Sequence, residues 1–255
     1  MNINIFLYYL KRELKEKYIG NITGILWIII QPVVLLATYW FVFEKIFHAR
    51  ISEDIDVDFI VYLALGFWPW LAFSESVMNS ITGVENNSEL IGKNKLDFKI
   101  PVIASITANF VLNVIGYVLV LFILSINYSY FNFGSIVLLL LPILQLYLLA
   151  ISLGLFLSAT QIFIKDTVQI MATIITLWFF LTPIIYSEYL IPAEYISYIK
   201  LNPLYIPISF IHTAIITNEE LPWMNMMYLS IIIIVSLILS LKYFNKLSNH
   251  FEDYI

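Results

Sequence analysis

The sequence predicts an all-α integral membrane fold, and three observations carry that prediction. Hydrophobic residues make up 61% of the 255-residue chain and charged residues only 12%, roughly half the charged share of a soluble domain. Six apolar stretches reach the roughly 20 residues that a helix needs to cross the hydrocarbon core. Basic residues gather between alternate stretches rather than evenly along the chain, which is how orientation is written into membrane proteins.

Residues 1–21 form the first element, an amphipathic interface helix. Ile3, Phe6, Leu7, Leu10 and Leu14 recur at helical spacing, and Lys11, Arg12, Lys15 and Lys17 crowd the polar side. That is the pattern of a helix lying flat in the membrane interface. The cations read either as a juxtamembrane anchor or as a meeting point for anionic headgroups or a lipid-linked diphosphate. Charges follow the first apolar positions, and no small-residue cleavage site precedes the first long apolar run, so a cleaved signal is not expected.

Residues 22–255 form the transmembrane domain. The expected spans are Ile22–Phe47, Phe59–Gly83, Val102–Ile126, Ile136–Ile164, Thr167–Tyr186 and Trp223–Tyr243. Pro32, Pro69 and Pro142 fall in or near span interiors, where each is expected to kink its helix while neighbours satisfy the freed carbonyl. Lys11, Arg12, Lys15, Lys17, Lys93, Lys95, Lys99, Lys165, Lys242 and Lys246 fall on one side, against Lys45, Arg50 and Lys200 on the other. The positive-inside rule then puts both termini in the cytoplasm, which requires an even number of crossings and agrees with six.

The segment VENNSELIGKNKLDFKIP, Val84 to Pro101, separates the second and third spans. A helix over about 84–96 carries Val84, Asn87, Leu90 and Ile91 on one face. Glu89 and Lys93 form an i,i+4 pair on another. An exposed Leu-Ile pair on a short charged helix needs a cover, either lipid headgroups or a protein.

On the opposite side, SEDIDVD places Asp54, Asp56 and Asp58 at alternate positions. This reads as a solvated acidic loop, or as a divalent-metal site of a glycan-transferring enzyme. From Ser187 to Pro222, Pro192, Pro203 and Pro207 punctuate two apolar pieces within about 193–217. They are too short to span and too aromatic for a free loop, so re-entrant half-helices buried against protein are expected. They serve as a static cap or as an outer gate.

Enzymatic chemistry finds little footing. No G-x-x-x-x-G-K-[ST] loop is present, so the chain itself is not expected to bind ATP. Neither H-E-x-x-H nor G-x-S-x-G occurs, and His48, His212 and His250 are far apart. The absence of cysteine removes thiolate metal sites and disulfides. Glu75 is a carboxyl well inside an expected span, hence either a functional group or a hydrogen-bonded structural one. Tyr39, Trp40 and Phe41 form one aromatic cluster and Trp178, Phe179 and Phe180 another. Each cluster offers stacking faces for sugar rings or ordinary packing.

The basic amphipathic start is followed by GILWIIIQPVVLLATYWFVF, YLALGFWPWLAF, NSELIGK, the Lys165–Asp166 pair, FFLTPIIY and LNPL. Their order on a six-span chain resembles the membrane subunits of polysaccharide-exporting ABC transporters of the ABC-2 type. These are the permeases for O-antigen, capsule and teichoic acid, and the O-antigen branch is the nearest. The sequence departs from that pattern at Lys165, where Arg is common, at Leu96–Asp97, where Phe-Pro is common, and at His212, where Arg is common.

The resemblance implies a homodimer in the bacterial inner membrane enclosing a conduit for polysaccharide on an undecaprenyl diphosphate carrier. It implies two copies of a separate ATPase, which would hold the ATP and Mg²⁺. No cofactor, metal or nucleic acid is expected on this chain, and lipids are expected partners. The coupling helix would meet the ATPase through Asn87, Leu90, Ile91 and Lys93. Tyr39, Trp40, Trp178 and Phe179 would line the channel. Pro183, Tyr186, Asn202, Pro203 and His212 would form the outer gate, and Lys11, Arg12, Lys15 and Lys17 would meet the diphosphate. The rival readings are an ABC-2 permease for drugs or other lipids, a membrane glycan-transferring enzyme, and a scaffold without transport.

Overall fold

The computed structural model describes residues 3–18, 22–48, 51, 57–87, 97–128, 131–216 and 220–254, which form helices and turns with no strand among them. Helix α1, Ile3–Tyr18, is amphipathic as expected, but it has two apolar stripes rather than one. Tyr9 is buried against Ile100 and Ala104, with Ile5, Phe6 and Leu10 packed around them. Ile3 and Leu7 stay exposed. One stripe fastens α1 to the bundle and the other faces outward, as an interface helix requires.

Helix α2, Ile22–Trp40, contains Pro32 and runs directly into a π-helical turn, Phe41–Ile46. In that turn Lys45 pairs with Glu44 at 2.7 Å and lies 5.1 Å from the centre of the Trp40 ring. Helix α3, Phe59–Ile81, contains Pro69. Helix α4, Lys99–Asn127, begins before the expected Val102, because Pro101 sits in its first turn, where no amide donor is needed.

Helices α5, Phe133–Leu138, and α6, Leu140–Phe163, fill the expected fourth span. Pro142 lies in the first turn of α6, and the fourth span breaks at Leu139 between α5 and α6, the preceding turn to which a proline cannot donate. The expected fifth span is shorter than its hydropathy suggests. Helix α7, Thr167–Phe180, has 14 residues, about 21 Å at 1.5 Å per residue. Pro183 has no amide with which to continue the ladder, and the chain turns through 181–187 instead. Helices α8, Ala193–Ile199, and α9, Tyr205–Ile216, occupy the expected half-helix region. Helix α10, Trp223–Ser248, closes the chain.

Among the described residues, α3, α4, Gly134–Phe163 and α10 are long and apolar enough to cross a membrane, whereas α7 and α9 are shorter apolar helices. Helix α3 is central: 83% of its apolar window is buried, against 22% for α10. It packs on α4 and α6, and also meets α2, α7 and α9. Gly154 allows the closest crossing. A Cβ there would stand 2.5 Å from Ser80 Oγ and 2.6 Å from Ile106 Cδ1, so any larger residue requires those side chains to shift, and the small residue suits the close approach of α6 to α3 and α4.

Helix α10 is tied to α6 by hydroxyls and an amide. Ser152 Oγ lies 3.0 Å from the hydroxyls of both Ser236 and Ser240, and Gln145 donates to Ser230 Oγ and the Met226 carbonyl at 2.8 Å. Such pairs satisfy polar groups where lipid cannot. At the end of the bundle that carries α1, here the basic end, Phe98, Phe163 and Phe244 all ring Phe251.

Candidate functional site

At the basic end, α3 is followed by a turn and a short 3-10 helix, Glu85–Asn87. This is the root of the polar segment expected to be the coupling helix. The root is held from two sides. Asn87 donates to the Gly83 carbonyl at 2.8 Å and accepts from the Arg12 guanidinium of α1. Glu85 accepts from Lys165 Nζ at 2.5 Å and from Gln161 Nε2 at 3.3 Å, at the end of α6.

Asn87 and Val84 are buried at this root. Arg12 is half-buried and turned to Asn87, with its guanidinium 5.0 Å from the Tyr9 ring centre. It therefore does not share an open polar face with the exposed Lys11 and Lys15. Burial raises the pKa of the Tyr9 phenol, and the Arg12 charge opposes that rise. Lys17 belongs to α1 by its backbone. Leu90, Ile91 and Lys93 lie outside the described residues, as do Asp54 and Asp56.

In the bundle, Tyr39, Trp178 and Phe179 come together although α2 and α7 are distant in sequence. Tyr39 and Phe179 stack with ring centres 5.5 Å apart. Phe73 meets Trp178 edge-on at 5.7 Å. Phe67 and Trp70 of α3 complete the cluster against Tyr39 and Phe179. The three α3 rings recur every three residues, a spacing readable in the sequence as one helical face. Phe179 is buried while Tyr39 and Trp178 are half-buried, so only the latter two keep an open face. Trp40 stands beside Lys45.

The expected gate residues are joined by hydrogen bonds. Asn202 accepts from Trp178 Nε1 at 2.7 Å and from the Leu204 amide at 3.0 Å. It donates to Thr182 Oγ1 at 2.9 Å and to the Leu181 carbonyl at 3.3 Å. Tyr62, which the sequence reading did not single out, donates to the carbonyls of Pro183 and Tyr186 at 3.4 and 3.2 Å. Its ring stacks on His212 at 3.8 Å, and His212 Nε2 lies 3.0 Å from the Tyr62 carbonyl. Gly66 leaves room for that imidazole, which a Cβ would approach to 3.2 Å. Pro203 follows Asn202 at the turn into α9. Glu188 accepts from Tyr205 and Ser209 across the same region.

Asp58, the described member of the acidic loop, accepts from the Tyr128 hydroxyl at 2.7 Å. That bond holds the phenol proton and pushes the Tyr128 pKa up to about 12. The described residues contain no group of three or more His, Asp or Glu placed to hold a metal ion. Between α3 and α4, Glu75 Oε2 accepts from Asn113 Nδ2 at 2.9 Å, and Asn79 Nδ2 donates to Asn109 Oδ1 at 3.2 Å.

A helical bundle of apolar spans with a braced basic end and a bonded cap at the other defines a multi-pass membrane protein. The chain belongs to the ABC-2 type transporter family, which matches it over residues 5–216. It is similar to the O-antigen export system permease protein RfbA of Myxococcus xanthus, with 26% identity over 83% of this chain and 80% of the relative. It is also similar to the protein of that name from Klebsiella pneumoniae, with 24% identity over 95% and 91% of the two chains. The polysialic acid transport protein KpsM of Escherichia coli is 23% identical over 90% and 88%.

Proposed function

We propose that the chain is the membrane subunit of an ATP-driven exporter of polysaccharide linked to undecaprenyl diphosphate. Two copies enclose the conduit, and each engages one copy of a separate ATPase that holds ATP and Mg²⁺. The chain crosses the bacterial inner membrane six times with both termini in the cytoplasm. In that count α2 and α7 cross together with the longer spans, α7 being extended by the bonded 181–187 segment. The observation that carries the reading is the near full-length likeness to permeases named for O-antigen export and polysialic acid transport.

The geometry supports specific roles. The 85–87 root, braced by α1 and α6, is placed to pass a push on the segment that follows it into the bundle. Lys11 and Lys15, exposed on α1, are left to meet the anionic headgroup of the carrier. The half-open rings of Tyr39 and Trp178 offer stacking faces, and the 181–187 and 202–212 knot acts as the outer gate.

Reconstituting the chain with its ATPase in vesicles tests the proposal. ATP-dependent movement of undecaprenyl-diphosphate-linked polysaccharide is expected. Movement of drugs or plain lipids with no polysaccharide would replace the reading with a different ABC-2 cargo.

A further inference from the structure

Helix α3 is the most buried element, and its open positions between Leu71 and Asn79 form one stripe. Leu71, Glu75 and Met78 are half-buried and Asn79 is exposed, while the positions between them are buried. Spacings of four, seven and eight residues put them on a single face. A stripe facing hydrocarbon would be apolar, since a carboxyl or carboxamide in lipid is costly. This one carries both.

The polar groups are fixed in place. Asn113 and Asn109 of α4 anchor Glu75 and Asn79, and Asn79 also donates to the Glu75 carbonyl at 2.8 Å. Asn113 donates in addition to the Asn109 carbonyl, and Asn109 to the Ser105 carbonyl. These bonds use one carboxyl oxygen of Glu75 and the amide of Asn79. Glu75 Oε1 and Asn79 Oδ1 accept nothing from the described residues. Asn113 is about 21 Å along α4 from Lys99 at 1.5 Å per residue, near the middle of that 29-residue helix. Two acceptors therefore stand open on a rigid support, Asn79 two and Glu75 six residues before α3 ends at Ile81.

We infer that the Glu75–Asn79 stripe is a sugar-hydroxyl subsite of the export path, taking O–H donors of the passing glycan. This rests on the polysaccharide reading above. Hydroxyls are the donors a glycan has in abundance, and an O–H bond to a carboxylate is among the stronger hydrogen bonds. A pair of acceptors without a closed pocket grips each residue weakly, which suits a polymer that must keep moving.

The chain contains no cysteine, so Asn79→Cys introduces a unique thiol. In vesicles holding the complete complex, a membrane-impermeant thiol reagent is expected to modify it. Undecaprenyl-diphosphate-linked O-antigen-type polysaccharide is expected to slow that modification. Phe122→Cys on the exposed face of α4 is the lipid-facing comparison and should stay unmodified. Asn79→Ala and Glu75→Leu should each raise the KM for the glycan about five-fold, the equivalent of one hydrogen bond, with complex yield as the folding control. A buried thiol, an Asn79→Cys disulfide to the second copy, or modification indifferent to glycan with an unchanged KM would each overturn the subsite. If the wild-type complex moves no glycan, the functional reading fails and takes the subsite with it. If it does export and these arms are flat, the subsite alone fails.

Discussion

Asn202 uses the full bonding capacity of a carboxamide: two donors and two acceptor positions, all filled. Through it, the Trp178 indole, the carbonyl and hydroxyl exposed where α7 breaks, and the start of α9 become one unit. Asn202→Ala strands the indole N–H and opens the break, and should destabilise the protein by about 2–3 kcal/mol. Trp178→Phe loses one bond and should cost about 1 kcal/mol. In the Asn202→Ala background the same change should cost less, because its partner is already gone. Thermal unfolding of the four proteins in detergent measures the cycle, and full additivity would show that the bond contributes nothing. Asn202 and Trp178 were each legible in the sequence as a turn residue and an aromatic. Their pairing was not, because it depends on where α7 stops. Tyr62 gave no signal at all: a tyrosine within an apolar run shows its bond partners only once the 181–187 turn is folded over it.

Spans were legible wherever apolar length and helix length coincide, as in α3, α4, α6 and α10. They misled where an apolar run continues past a backbone stop. Leu181 to Tyr186 reads as membrane helix by hydropathy, yet Pro183 ends it. Helix α1 shows the complementary limit: periodicity drew Ile3, Phe6, Leu7, Leu10 and Leu14 as one stripe, but Phe6 and Leu10 pack inward around Tyr9, whose burial needs α4 as a partner. At the α3–α4–α6 crossing, Gly154→Ala forces a methyl against Ser80 and Ile106 and should cost about 1–3 kcal/mol. A lowered unfolding temperature with unchanged helix content checks this. The Glu85–Lys165 pair is a different kind of contact. Lys165 is largely exposed, so the pair adds little to stability, but it fixes the root of the polar segment to the turn between α6 and α7. Lys165→Glu should therefore leave the unfolding temperature nearly unchanged while reducing ATP-driven export. The exchange Glu85→Lys with Lys165→Glu should restore much of it. Export equally poor in the single and the exchanged variants would remove the positional role.

Across the whole molecule, one mechanical requirement connects these parts. The chain has no P-loop, so in the proposed exporter work must enter from the separate ATPase and leave as movement of spans. The polar segment between α3 and α4 is the entry point the sequence offers, with the apolar Leu90–Ile91 pair as its grip. The root at Glu85–Asn87 leads onward by two routes, to α1 through Arg12 and to the α6–α7 turn through Lys165. In the proposed exporter a push applied beyond Asn87 would be shared between the interface helix and α7, and α7 contributes Trp178 and Phe179 to the aromatic cluster and ends at the Asn202 knot. Replacing Leu90 and Ile91 together by Asp tests the proposed grip. The double variant should insert and unfold like the wild type, lose export, and no longer co-purify with the ATPase. Arg12→Ala should leave that co-purification intact and weaken only the transmission, so ATP hydrolysis persists while export falls. If Leu90→Asp with Ile91→Asp binds the ATPase and exports normally, force enters elsewhere, and the braced root is merely a structural corner of the fold.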